Sequence, residues 1–116
     1  MALAHDEQHG GTEGHLPATK ENVRLVGKVN FNQDQEGRIA DVGVFGNYAY
    51  LAAWSHPRCQ KGGVYVLDIR DPANPKQINF IRTSNDSYVG EGVQVIHIDT
   101  PQYSGDVLAM NNEICG

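Results

Sequence analysis

Long apolar runs are missing from this 116-residue chain; none approaches the roughly 18 residues that a membrane-spanning helix needs. Positive charge is also scarce. Nine Lys and Arg stand against fourteen Asp and Glu, a formal net charge of -5. No Lys/Arg cluster stands out locally, so a surface for nucleic acid or another polyanion is excluded from the expectations. Cysteine is limited to Cys59 and Cys115 and tryptophan to Trp54. No segment carries a convincing ten-residue helical stripe. No phosphate-binding loop, paired-carboxylate arrangement or nucleophile–base–orienter set can be argued from the residues. Glycine, in contrast, is plentiful: thirteen glycines and five prolines suit short strands joined by tight turns. The length fits one small domain.

Residues 1–21 have no hydrophobic period and are read as a flexible arm. Within it, Ala2-Leu3-Ala4 has the A-x-A form that signal peptidase cleaves. Residues 1–4 are therefore expected to be the remnant of a secretory signal, which places the protein outside the cell or on its surface. Strand-like segments then follow at Val23–Val29, Ile39–Phe45, Tyr48–Trp54, Val64–Ile69, Gln77–Arg82, Val93–Ile98 and Asp106–Met110. Gly46-Asn47 gives a tight-turn signal between the second and third of them. The chain is expected to be all-β. "YLAAWSHPRC" (Tyr50 to Cys59) and "VLAMNNEIC" (Val107 to Cys115) both run from a strand into a polar loop that ends in cysteine. Ile39 to Val44 and Val93 to Ile98 stand in matching places before them, an offset of roughly 54 to 57 residues. That spacing suits β-propeller blades of four antiparallel strands. Residues 22–116 would then be a partial propeller: a complete blade at about 39–82, an incomplete one at about 92–116, and Val23–Val29 as the last strand of a preceding blade.

The stretch "GGVYVLDIRDPANP" (Gly62 to Pro75) carries the sharpest local signal. Asp71 can accept hydrogen bonds from amides just ahead of it, and Pro72 presets the turn. Asn74 before Pro75 is held extended. Together with "GNYAYLAAW" and "KQINFI", this stretch resembles the LVIVD repeat of β-propeller proteins, specifically over Gly46 to Ile81 and less so from Glu91 to Gly116. The resemblance implies exported or cell-surface propellers of several blades. A closed ring needs at least four blades, so the chain is expected to be a fragment of a larger propeller. Its partners would be the remaining blades of a longer chain or, by homo-oligomer formation, other copies.

Candidate sites are few. Cys59 and Cys115 fall in equivalent loops, and with an export-like start they are disulfide candidates; other partners or free thiols stay open. "NQDQEG" resembles the start of a calcium loop, in which Asn32, Asp34 and Glu36 would bring oxygens together. The bidentate Glu expected twelve positions along is replaced by Gly43, so a solvated loop is the plainer reading. His5, His9 and His15 form a tract able to attract another divalent metal. His97, expected to face away from Val95, lies in an innermost-strand segment, with Glu91 and Glu113 near strand ends. The leading functional expectation is a non-enzymatic binding or scaffold module with a protein or glycan partner. Its surface would be the loops Ser55–Lys61 and Asn111–Gly116. The alternative is a metal-assisted propeller hydrolase using His97, Glu91 or Glu113 in the central channel.

Overall fold

The structure, a computed structural model, describes residues 19–31, 39–53, 62–83 and 87–114. Four strands form one antiparallel meander: β1 (Ile39–Phe45), β2 (Tyr48–Ala53), β3 (Gly63–Asp68) and β4 (Lys76–Arg82), paired in sequence order. The punctuation foreseen in the sequence makes the corners. Gly46 has φ +57, a conformation that costs a Cβ-bearing residue strain, and it opens the two-residue β1–β2 turn. At the β3–β4 corner the Asp71 carboxylate accepts the amide of Ala73 at 3.1 Å and the side-chain amide of Asn74 at 2.8 Å. The Asp71 carbonyl also accepts the Asn74 amide at 3.0 Å, closing the turn.

A second unit follows. β6 (Val93–Asp99) and β7 (Ser104–Met110) form a hairpin, while β5 (Ser87–Tyr88) and β8 (Glu113–Ile114) make a two-residue ladder that the hydrophobic pattern did not announce. Between the meander and the hairpin sits the core. Ala52 on β2 pairs with Val64 on β3, and Val64 with Ile81 on β4, so these side chains form a row on one side of the sheet. Val89, in the segment before β6, and Val93, at its start, close over that row; Ala52, Val64 and Val89 have no exposed surface and Val93 is 2% exposed. Tyr50, Ile81 and Leu108 pack around this cluster. The meander and the hairpin are therefore stacked, one on the other, with β6 against β1.

One expectation needs correction. Residues 23–29 are not a strand: they pair with no ladder, and Val23, Leu25 and Val26 stay more than half exposed. An outer strand needs an adjacent edge with open hydrogen-bonding groups. This segment instead crosses the β3–β4 corner, where Gly27 lies so close to the Pro72 and Ala73 carbonyls that a Cβ would collide with them. Phe31 then stacks on Tyr65 with ring centroids 4.4 Å apart.

Candidate functional site

The polar centre of the structure is the joint between the stacked sheets. A register shift between Ile39 and Asp41 marks the start of β1, and beyond it the Asp41 carboxylate is aimed at the hairpin. Its Oδ2 accepts the amides of Gly92 at 3.0 Å and Val93 at 2.9 Å, and its Oδ1 accepts the amide of Val42 at 2.8 Å. These backbone donors, Val93 first, hold the carboxyl below the ordinary value of 3.8. Two residues on, Gly43 leaves room for β6: a Cβ there would lie 2.9 Å from the Val93 carbonyl oxygen. Between the adjacent strands β1 and β6 runs a groove of about 320 Å³ lined by Asp41, Gly43, Val44, Val93, Gln94 and Val95.

A second tie lies where β4 leaves the meander. Thr83 donates its hydroxyl to the Ser87 carbonyl at 2.7 Å, and its amide bonds the Gly62 carbonyl at 3.2 Å. Both Thr83 and Ser87 are buried. Gly62 is needed by contact, since a Cβ would approach the Ser87 carbonyl oxygen to 2.5 Å.

At the opposite, open end of the stack, side chains become polar. His97 Nδ1 lies 2.7 Å from Asp106 Oδ1 across the β6–β7 ladder, and both side chains are half exposed. Because a carboxylate only accepts, Nδ1 is the donor and Nε2 is left to solvent. Burial, then the charge of Asp106 and the neighbouring Tyr48, raise the Tyr50 phenol above its usual range. Asp68 is held at about 2, chiefly by the guanidinium of Arg70, which reaches its two oxygens from Nε at 3.0 and 2.9 Å. Arg70 is raised in turn by Asp68.

The expected ligands do not come together. His97 shares a side of β6 with Val95, because residues two apart on a strand point the same way; facing away from Val95 is excluded by that geometry. Glu113 accepts the Tyr88 hydroxyl at 2.9 Å, and the Glu91 carbonyl accepts the Asn111 side-chain amide. Both acids therefore sit at the end of the hairpin where β6 begins, while His97 lies near its turn. Four strand residues from Val93 to His97 span roughly 13 Å. Among the described residues no group of three or more His, Cys, Asp or Glu could hold a metal ion. His5, His9, His15, Asn32, Asp34, Glu36, Cys59 and Cys115 lie outside the described residues, as does the loop Ser55–Lys61. Sequence reading passed over Asp41 and Thr83. The one trace of Asp41 was an acid breaking a valine-rich strand; Thr83, at the foot of an alternating strand, left none.

The class is thus an all-β protein of stacked antiparallel sheets, with no helix among the described residues long and apolar enough to cross a membrane. Residues 36–83, which hold the whole β1–β4 meander, match the LVIVD repeat. No curated protein and no solved structure matches the chain.

Proposed function

We propose that the chain is a non-enzymatic binding and scaffold module of the β-propeller type, exported or held at the cell surface. The observation that carries this reading is the stacking of the LVIVD sheet on the following hairpin, with β1 and β6 side by side and the Asp41 carboxylate of β1 bonded to the Gly92 and Val93 amides. Sheets arranged this way pass from one blade to the next around an axis, and the connections between strands gather on two rims. The working surface would be the rim formed by residues 87–92 and Asn111–Ile114. There the Tyr88–Glu113 bond and the Asn111–Glu91 bond brace exposed polar groups. A hydrolase using His97, Glu91 and Glu113 as metal ligands is disfavoured, since β6 holds the histidine apart from both acids. Export draws its support from Ala2-Leu3-Ala4.

The test is a glycan array and a panel of secreted proteins probed with the wild-type chain and with Asn112→Arg and Glu113→Lys, alongside elemental analysis of the purified protein. Binding that these rim substitutions abolish, with no stoichiometric metal, is the expected result. A tightly held divalent ion together with hydrolytic turnover, or binding indifferent to the rim, would sink the reading.

A further inference from the structure

The outer side of the meander, turned away from the hairpin, is not uniformly open. Tyr65 points to that side, where Phe31 stacks on it, and Leu67 follows two residues along the same strand. Leu51 and Ala49 stand opposite them on β2, and Val42 and Val44 continue the two rows onto β1. Val42 and Val44 are more than half exposed, whereas Ala49 and Leu67 are buried. Among the described residues no ladder lies over this side, since the hairpin packs against Ala52 and Val64 on the other.

Residues 27–31 account for the difference. Gly27 lies against the Pro72 and Ala73 carbonyls at the β3–β4 corner. Phe31 stacks on Tyr65, which in turn stacks on Phe80 with ring centroids 4.5 Å apart. Leu67 falls between these two anchors on β3. Along the segment Gly27, Val29 and Phe31 are half-buried, while Lys28 and Asn30 are exposed. This alternation, in a stretch that pairs with no strand, turns an apolar side down onto the sheet and a polar side out. A stretch held without a ladder opens at lower cost than the strands beneath it.

We propose that residues 27–31 are a strap that closes the outer side of β2 and β3, and that its release governs access to Ala49, Tyr65 and Leu67. The strap involves the meander alone and stands apart from the stacked-blade reading. In that reading a neighbouring sheet would lie on this side, and it could settle there only after the strap had left. That consequence alone rests on the stacked sheets.

Trypsin tests the strap in the whole chain. Arg24–Leu25 precedes it and is exposed, Lys28–Val29 lies within it, and Lys76–Gln77 lies in the β4 ladder. Cleavage of a segment that opens briefly follows its open population. Measured against a free peptide of residues 19–31, Lys28–Val29 should be slowed about tenfold more than Arg24–Leu25. Phe31→Ala removes one anchor, and Gly27→Val drives a Cβ into the other. Each should return Lys28–Val29 to the peptide rate, with Lys76–Gln77 still protected and circular dichroism unchanged. Both variants should also bind the apolar dye ANS several-fold more than wild type. Asn30→Asp, on the outward side, should alter neither reading.

A wild-type Lys28–Val29 bond cut at the peptide rate overturns the proposal. So does a variant at either anchor that is cut as slowly, or binds as little dye, as wild type, or an Asn30→Asp response equal to that of Phe31→Ala. Amide protection at Gly92 and Val93 reports the joint between the sheets alone, so loss of the stacked sheets is told apart from loss of the strap.

Discussion

Asp41 ties three backbone amides with one carboxylate, two of them from the other sheet. Replacing it by Asn keeps the size and removes the charge, and charge-assisted hydrogen bonds are roughly twice as strong as neutral ones. Asp41→Asn should therefore speed hydrogen exchange at Gly92 and Val93 while leaving the β2–β3 amides protected. Equal protection in both proteins would show that the joint is held by apolar contact alone. Two glycines of β1 and its turn give a contrasting pair. Gly46→Ala meets nothing within 4 Å but keeps a φ of +57, so its cost is backbone strain, about 1–2 kcal/mol. Gly43→Ala has an ordinary φ and a collision with the Val93 carbonyl instead. It should loosen the hairpin from the meander, seen as raised exchange at Val93, whereas Gly46→Ala should leave that amide unchanged.

At the scale of elements, β3 is the strand on which both sides of the meander depend. Its Val64 has no exposed surface, and Val66 and Leu67 are 7% and 4% exposed. Val64→Ala removes two methyl groups from between the sheets, and at about 0.8 kcal/mol per buried carbon plus the void left behind it should cost about 2 kcal/mol. A urea midpoint shift is the measurement; no shift would mean that Val89 and Val93 collapse into the space. The strands of this unit were legible because each carries its own local code: alternation in Gln77–Arg82, a turn glycine at Gly46, an aspartate and prolines at 71–75. The β5–β8 ladder was not, since two residues are too few to show a period. Val23–Val29 reads as a strand by composition, yet composition says nothing of whether an edge is available to pair with. Asp41 and Thr83 stayed hidden for a different reason. Asp41 meets partners more than fifty residues on, and both residues bond to backbone groups, which leave no mark in the identity of the partner.

For the molecule as a whole, acid is the informative variable. Asp41, Asp68 and Asp71 all have carboxyls lowered from 3.8, Asp68 to about 2. In the unfolded chain they take up protons near 3.8, before the folded protein does, so folding stability is complete above that value. It is then lost as the pH falls through the folded values toward 2. Melting temperature should accordingly be flat through the weakly acidic range and drop between about pH 4 and pH 2. Added salt should reduce the part due to the exposed Asp68–Arg70 pair. A melting temperature that is steady down to pH 2 would contradict the assignment. The form of the Asp41 joint has one more consequence. Its acceptor is a particular side chain, but its donors are peptide groups that nearly every residue possesses. Selection need act on one partner only, so a unit can drift in sequence, be duplicated or be exchanged and still be held by the acid of the unit before it.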